Sequence, residues 1–240
     1  MKPVLGLETS GKLTGAALAV GDRLLGECAV DIAAGREELL LALASDLLNR
    51  HGMTVADLGR IGVSLGPGSF TGIRVGVAAA QALALGAETA LVGVPSHHAL
   101  AYPFAGLDLA IVLLTGFRKG QVFVEVGRWE GANWLADLPG QSVGVESLED
   151  AVVPVLERLQ RPRPIRFLFL GEAVESIRER VPDLFGEGDR IASGLAMARR
   201  PGPVALLAAR PEAVEATGRS IELMEPLYLR AADARKPGTR

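Results

Sequence analysis

Two glycine-bearing turns hold the residue types best suited to chemistry. The first is Gly66-Pro67-Gly68-Ser69-Phe70-Thr71-Gly72, which follows a short apolar run and opens a helix. A loop feeding a helix N-terminus presents unpaired N–H groups and the positive end of the helix dipole, an arrangement that suits a phosphate. The second turn is Glu8-Thr9-Ser10-Gly11, where hydroxyls and a glycine turn can form an anion nest. Thr9, Ser10, Gly68, Ser69 and Thr71 are therefore the candidate phosphate or nucleotide contacts. Two features count against that chemistry. The loop lacks the Gly-Lys-Ser/Thr ending that brings a lysine to a terminal phosphate. Neither turn carries an Asp poised for magnesium, and Glu8 stands alone. On the residues alone, a structural turn is the favoured reading of each.

Other chemistries find less support. His51 falls at a helix end, and His97 and His98 are sequence neighbours that read as a loop pair. Adjacent side chains point in different directions on any regular element, so they make no two-ligand metal face. The chain has no His-Glu-x-x-His and no Gly-x-Ser-x-Gly nucleophile elbow. Cys28 lies mid-strand with no base partner in view and reads as a small core residue. The expectation is no catalytic residue and no metal ligand. The basic tail residues Arg230, Arg235, Lys236 and Arg240 read as a solvated terminus.

Composition narrows the classes further. With 240 residues and 49% apolar content, the chain can bury a large core. A net charge of −3 lacks the basic surplus of a nucleic-acid binder working alone. A single cysteine excludes an internal disulfide framework and fits a reducing compartment. There is no leader pattern and no run of about 18 apolar residues. The expected place is the cytoplasm, away from membranes.

The elements that must position the two turns follow from periodicity. Strands are expected over 4–9, 14–20 and 23–31, joined by a hairpin at Gly21-Asp22. A helix over 37–51, a strand over 61–65, a helix over 72–85 and a strand over 90–94 complete the order βββαβαβ. That is the ribonuclease-H-like order of the actin-like ATPase and sugar-kinase superfamily, so the expected fold is a two-lobed α/β protein. The second half starts the same way, with strands at 109–115, 121–126 and 133–138. A helix at 147–159, a strand at 165–170 and a helix at 172–180 follow. Leu113-Leu114-Thr115-Gly116 echoes Leu7-Glu8-Thr9-Ser10, which supports a duplication. The lobes are expected to be 1–105 and 106–225, with a tail at 226–240. A helix near 203–210, with Pro203 in its first turn, is expected and could return to the first lobe, and 182–200 reads as irregular.

Two helices carry more apolar surface than one sheet can cover. In 37–51, Leu39, Leu40, Leu43 and Leu47 form one arc, and Leu41, Ala44 and Leu48 widen it. In 72–85 only Arg74 and Gln81 are polar, so burial on nearly every side is expected. Gly76, Ala79, Ala80 and Leu83 give a low face for another helix. The candidate partner face is Leu39, Leu43, Leu47, Ile73, Gly76, Ala79, Ala80 and Leu83. A self-paired dimer through it would be isologous. Gly76→Arg or Ala80→Glu is expected to abolish association and leave the monomer folded.

The run from Gly66 through Thr71-Gly72-Ile73-Arg74-Val75-Gly76 resembles the signature of the TsaB (YeaZ) family. Leu5-Gly6-Leu7-Glu8-Thr9-Ser10, Val94-Pro95-Ser96 with Ala99-Leu100-Ala101, and Pro226-Leu227-Tyr228-Leu229-Arg230 support it in the family's order. The chain departs from the family pattern at Glu8, where Asp is common, at Gly35-Arg36-Glu37, and at Thr115–Phe123. The resemblance implies a cytoplasmic, non-catalytic subunit in making threonylcarbamoyladenosine. That nucleoside lies beside the anticodon in tRNAs reading codons that start with A. It implies a heterodimer with the catalytic paralogue TsaD, a further ATPase partner TsaE, a homodimer when alone, and tRNA contact only through the complex. It implies no cofactor on this chain by itself, with ATP or ADP a candidate ligand of the assembly. TsaD's metal pair is spaced His-x-x-x-His, which His97-His98 does not match. The alternative is an independent nucleotide-dependent enzyme, a kinase or ATPase of the same superfamily.

Overall fold

The computed structural model describes residues 1–31, 39–161 and 164–227. The expected helix start at Glu37, the departure at Gly35-Arg36-Glu37 and the basic tail lie outside them. In chain order the strands are β1 (Val4–Glu8), β2 (Leu13–Val20), β3 (Arg23–Asp31), β4 (Arg60–Ser64) and β5 (Ala90–Val94). Then come β6 (Leu109–Arg118), β7 (Gln121–Glu130), β8 (Asn133–Gly144), β9 (Arg166–Leu170), β10 (Arg190–Ile191) and β11 (Glu215–Ala216). The helices are α1 (Leu39–Arg50), α2 (Phe70–Gly86), α3 (Ser96–Ala101), α4 (Leu148–Leu159), α5 (Val174–Arg180), α6 (Pro201–Ala208) and α7 (Arg219–Glu222).

The chain divides into two α/β units. One is Met1–Ala105 together with Ala192–Pro226; the other contains Gly106–Ile191. The lobe drawn from sequence as 106–225 is therefore shorter, because 192–226 belongs to the first unit. The reason is packing. The first sheet has the order β11-β5-β4-β1-β2-β3, with β1 antiparallel to β2 and parallel to β4. On one face Leu5, Leu7, Ile61 and Val63 meet Leu40, Leu47 and Leu48 of α1 and Ile73, Val77, Ala80 and Ala84 of α2. The opposite face carries Val4, Val92 and Val94, which pack with Val204 and Ala208 of α6. Here Gly6 and Gly62 leave the sheet flat. A Cβ on Gly6 would fall 2.4 Å from the Ala205 nitrogen, and one on Gly62 would fall 2.5 Å from the Ala208 Cβ. Helix α6 thus lies almost backbone on backbone. Pro201 holds its first position, where a missing N–H costs nothing, and Pro203 lies in the same first turn, as expected.

The second unit repeats the plan. Its sheet order is β10-β9-β6-β7-β8, so β6 sits between a parallel and an antiparallel neighbour as β1 does. Strand β10 lies within the stretch read as irregular and pairs parallel to β9 through Arg190 and Ile191. The β6–β7 hairpin runs further than expected. Its turn is Lys119-Gly120, with φ of 52° and 74°, the left-handed pair that a two-residue hairpin needs. Strand β8 also runs beyond 138. Pro139 and Gly140 are passed over between the pairs Val126–Leu138 and Val124–Gln141, a bulge on an edge strand where a proline's missing N–H is tolerated.

Candidate functional site

The ends of β1 and β4 and the start of α2 converge. Gly66 adopts φ 107°, a conformation that favours glycine. Its N–H donates to Ser96 Oγ at 2.9 Å, and its carbonyl accepts from the Ser96 N–H at 2.8 Å, tying the loop to α3. Ser69 is the N-cap of α2, its Oγ accepting from the Gly72 N–H at 3.1 Å. The Ser69 N–H in turn donates to the Ser10 carbonyl at 2.8 Å. Arg199 donates from Nη1 to the same Ser10 carbonyl at 2.9 Å and to the Pro67 carbonyl at 2.8 Å. The two turns are joined to each other and to a third segment.

Glu8 lies beneath this junction with no exposure. Its Oε1 accepts from the Ser10 N–H and, at 3.0 Å, from Ser64 Oγ. Burial pushes the Glu8 carboxyl above the usual carboxylate range, against the opposing pull of the Ser10 and Ser64 hydrogen bonds and the Arg199 charge. Oε2 is buried without a hydrogen-bond partner among the described residues, as suits a neutral acid better than a carboxylate.

The candidate phosphate contacts differ in exposure and in how far their N–H groups are already engaged. Of the five candidate contacts, Thr9 and Ser10 are buried, while Gly68, Ser69 and Thr71 are exposed. The Ser69, Gly72 and Ser10 N–H groups are engaged by the chain's own oxygens. The second unit does the same at the corresponding turn. There the Gly116 N–H donates to Glu172 Oε1 at 3.0 Å.

The expected partner face divides in two. Leu47, Ile73, Gly76 and Ala80 are buried in the chain's own core, which corrects their assignment to a partner. The low face of α2 closes on β1, not on another helix. A Cβ on Gly76 would lie 2.2 Å from Thr9 Oγ1, and one on Gly72 would lie 2.1 Å from the Thr9 carbonyl oxygen. Leu39, Leu43, Ala79 and Leu83 are half-buried at the margin. The outward face is different: Phe70 is 59% exposed and Leu85 41%, with Ala78 and Ala82 exposed between them and Leu41 of α1 49% exposed. The Arg74 guanidinium stands 3.7 Å from the Phe70 ring centroid. Helix α2 is therefore not buried all round; it keeps an outer face where Phe70, Ala78, Ala82 and Leu85 surround the exposed Arg74.

His51 Nδ1 lies 2.9 Å from the Leu47 carbonyl at the end of α1. His97 and His98 lie on α3, not in a loop, with their rings edge to face at 4.5 Å. Cys28 Sγ points at the Leu43 carbonyl at 3.4 Å, and burial pushes its thiol up, away from nucleophilic use. Sequence reasoning missed Arg199, and it marked Ser96 without its tie to the Gly66 loop. Arg199 sits in a stretch without periodicity, so only its neighbours in space mark it.

The fold matches that of YeaZ from Pseudomonas aeruginosa, with a TM-score of 0.72 at 21% identity over 95% of this chain and 100% of that one. Residues 32–236 match the TsaD family model, described as tRNA N6-adenosine threonylcarbamoyltransferase. The TsaB of Escherichia coli, a tRNA threonylcarbamoyladenosine biosynthesis protein, is 33% identical over 205 residues, covering 80% of this chain and 79% of its own. The chain belongs to the TsaB family. TsaB of Bacillus subtilis is 28% identical over 232 residues, 96% of this chain and 95% of its own. Within the TsaB frame, the glycine signature has a physical meaning here: it lets α2 press against β1. Among the described residues no helix is long and apolar enough to cross a membrane.

Proposed function

We propose that this chain is the accessory subunit of threonylcarbamoyl transfer to the adenosine beside the anticodon, acting in the cytoplasm. It docks on the catalytic paralogue TsaD and holds it in an active arrangement, without chemistry of its own. The observation that carries this reading is the outer face of α2, where the exposed apolar residues Phe70, Ala78, Ala82 and Leu85 surround the exposed Arg74. Isolated exposed apolar residues are ordinary, but four on one side of a helix, with the Arg74 guanidinium laid over the Phe70 ring among them, suit an interaction surface. The two alanines keep its middle low, so another helix can approach closely there. The occupant follows from kinship. A chain that matches the TsaD family model over 32–236 is related to that paralogue over most of its length. Related helices can therefore pair across a pseudo-twofold axis as in an isologous dimer. A second copy of this chain occupies the face when TsaD is absent. The ATPase TsaE joins the assembly, tRNA is met only there, and any ATP or ADP is held there and not by the engaged turns of this chain.

The test is co-purification with TsaD and TsaE of the same organism, then a tRNA modification assay with each component omitted. Loss of modification on leaving this chain out is the expected result. Full modification in its absence would sink the proposal, and tight ATP binding with turnover by this chain alone would replace it with a nucleotide-dependent enzyme.

A further inference from the structure

We infer that Arg199 is a positioning residue for the partner-facing helix α2. The inference rests on the docking reading above and adds to it the group that sets the angle of the docking face.

Arg199 is 5% exposed and lies far along the chain from the loops it joins. Its Nη1 reaches the Ser10 carbonyl of one turn and the Pro67 carbonyl of the other. The Ser10 carbonyl also receives the N–H of Ser69, the N-cap of α2. One oxygen therefore couples the guanidinium to the first turn of the helix. The loop is shaped around this insertion, since a Cβ on Gly68 would lie 2.4 Å from Arg199 Nη1 and 2.2 Å from the Ser10 carbonyl oxygen. Any side chain at Gly68 would expel the guanidinium.

The guanidinium is presented from a fixed base. The next residue, Arg200, donates from Nε and Nη2 to the two carboxylate oxygens of Glu27 at 3.0 and 2.7 Å, a planar fork on β3. Pro201 then opens α6, which is seated on Gly6 and Gly62. Arginine suits this role because it stays charged when buried and holds several donors in one plane.

The lever is long. Helix α2 spans 17 residues. At a rise of 1.5 Å per residue, a tilt of about 10° at its N-terminus carries the far end sideways by roughly 4 Å. Packed interfaces do not absorb a displacement of that size. Releasing the Ser10 and Pro67 carbonyls therefore loosens the first turn of α2, which bears Phe70, and any tilt that follows moves Ala78, Ala82 and Leu85 out of register with a partner.

The experiment compares Arg199→Ala and Arg199→Lys with Arg60→Ala. Arg60 is a control of like chemistry: it donates to the Ala208 and Arg210 carbonyls at 3.1 and 2.6 Å and pairs with Glu215, away from α2. Each full-length variant is measured for affinity to purified TsaD of the same organism, for Tm, and for amide hydrogen exchange at Ser69–Ile73. Arg199→Ala is expected to weaken binding at least tenfold and to raise exchange at those amides. Arg60→Ala is expected to change binding less than twofold at a comparable Tm loss. Arg199→Lys, which keeps the charge and a single donor nitrogen without the planar fork, is expected to recover part of the affinity, and it carries the comparison if the alanine variant does not fold. Equal affinities for the Arg199 and Arg60 variants at matched Tm overturn the positioning role and leave the docking reading intact. A wild-type chain that does not bind TsaD overturns the docking reading, and this inference with it.

Discussion

Gly76 and Thr9 stand so close that a single methyl on the glycine would sit 2.2 Å from the threonine hydroxyl oxygen. Helix α2 rests on the end of β1 as tightly as a backbone allows. Gly76→Ala gains up to about 1 kcal/mol of helix propensity, but overpacking a full site costs about 1–3 kcal/mol. Net destabilisation is expected in urea unfolding. An arginine at this position, or a glutamate at fully buried Ala80, should unfold the chain and not merely separate it from a partner. The sequence expectation that either would leave a folded monomer is withdrawn on this geometry.

The outward face gives the cleaner test of association. Ala78→Glu and Leu85→Glu change exposed positions on α2, so stability should stay within about 0.5 kcal/mol. Partner affinity should fall by at least tenfold, since each places an unpaired charge in a dry interface. Sedimentation of the variants with TsaD checks both outcomes. Unchanged complexes would move the interface elsewhere.

Glu8 predicts a pH dependence. Burial raises its carboxyl in the fold above the unfolded value. Between those two values the unfolded chain loses the proton first, so this group's contribution to folding is complete below the ordinary glutamate value of about 4.3 and fades as pH rises through the folded one. Glu8→Gln keeps the acceptor for the Ser10 N–H and removes the titration. The variant should gain stability relative to the parent as pH rises from 4 to 7. Parallel stability curves over that range would contradict the assignment.

Lys119 adopts φ 52° in the Lys119-Gly120 hairpin turn. Asparagine tolerates this conformation better than lysine does. Lys119→Asn should raise stability by about 0.5–1 kcal/mol, measured by the shift in urea midpoint with an unchanged slope.

Much of the fold was legible because its signals are local. The meander β1–β3 shows in alternation and the Gly21-Asp22 turn. The second strand set shows in Leu113–Gly116 repeating the Leu7–Ser10 pattern. What escaped is held by contacts remote in sequence. β10 and β11 are two residues each and exist only because β9 and β5 offer an edge. Helix α7 is secured from outside, with Gln81 Nε2 donating to the Ile221 and Met224 carbonyls at 2.8 and 3.1 Å. The site was half legible. Periodicity located an excess of apolar surface on α2 but assigned the small-residue side to a partner. A helix of small and apolar residues looks alike on both sides until the sheet is known. The glycines that suggested a second helix instead admit Thr9.

The seat of α6 on Gly6 and Gly62 has a consequence for synthesis. One face of the first sheet can be covered by α1 and α2 soon after Val94 leaves the ribosome. The other, with Val4, Ala17, Ala19 and Val92, waits for Val204, Ala205 and Ala208. At about 5–20 residues per second, that interval is on the order of ten seconds. During it a half-finished sheet presents bare apolar strands to its surroundings. A nascent chain arrested between β5 and α6 should therefore be the form most prone to aggregate and the one a chaperone holds longest.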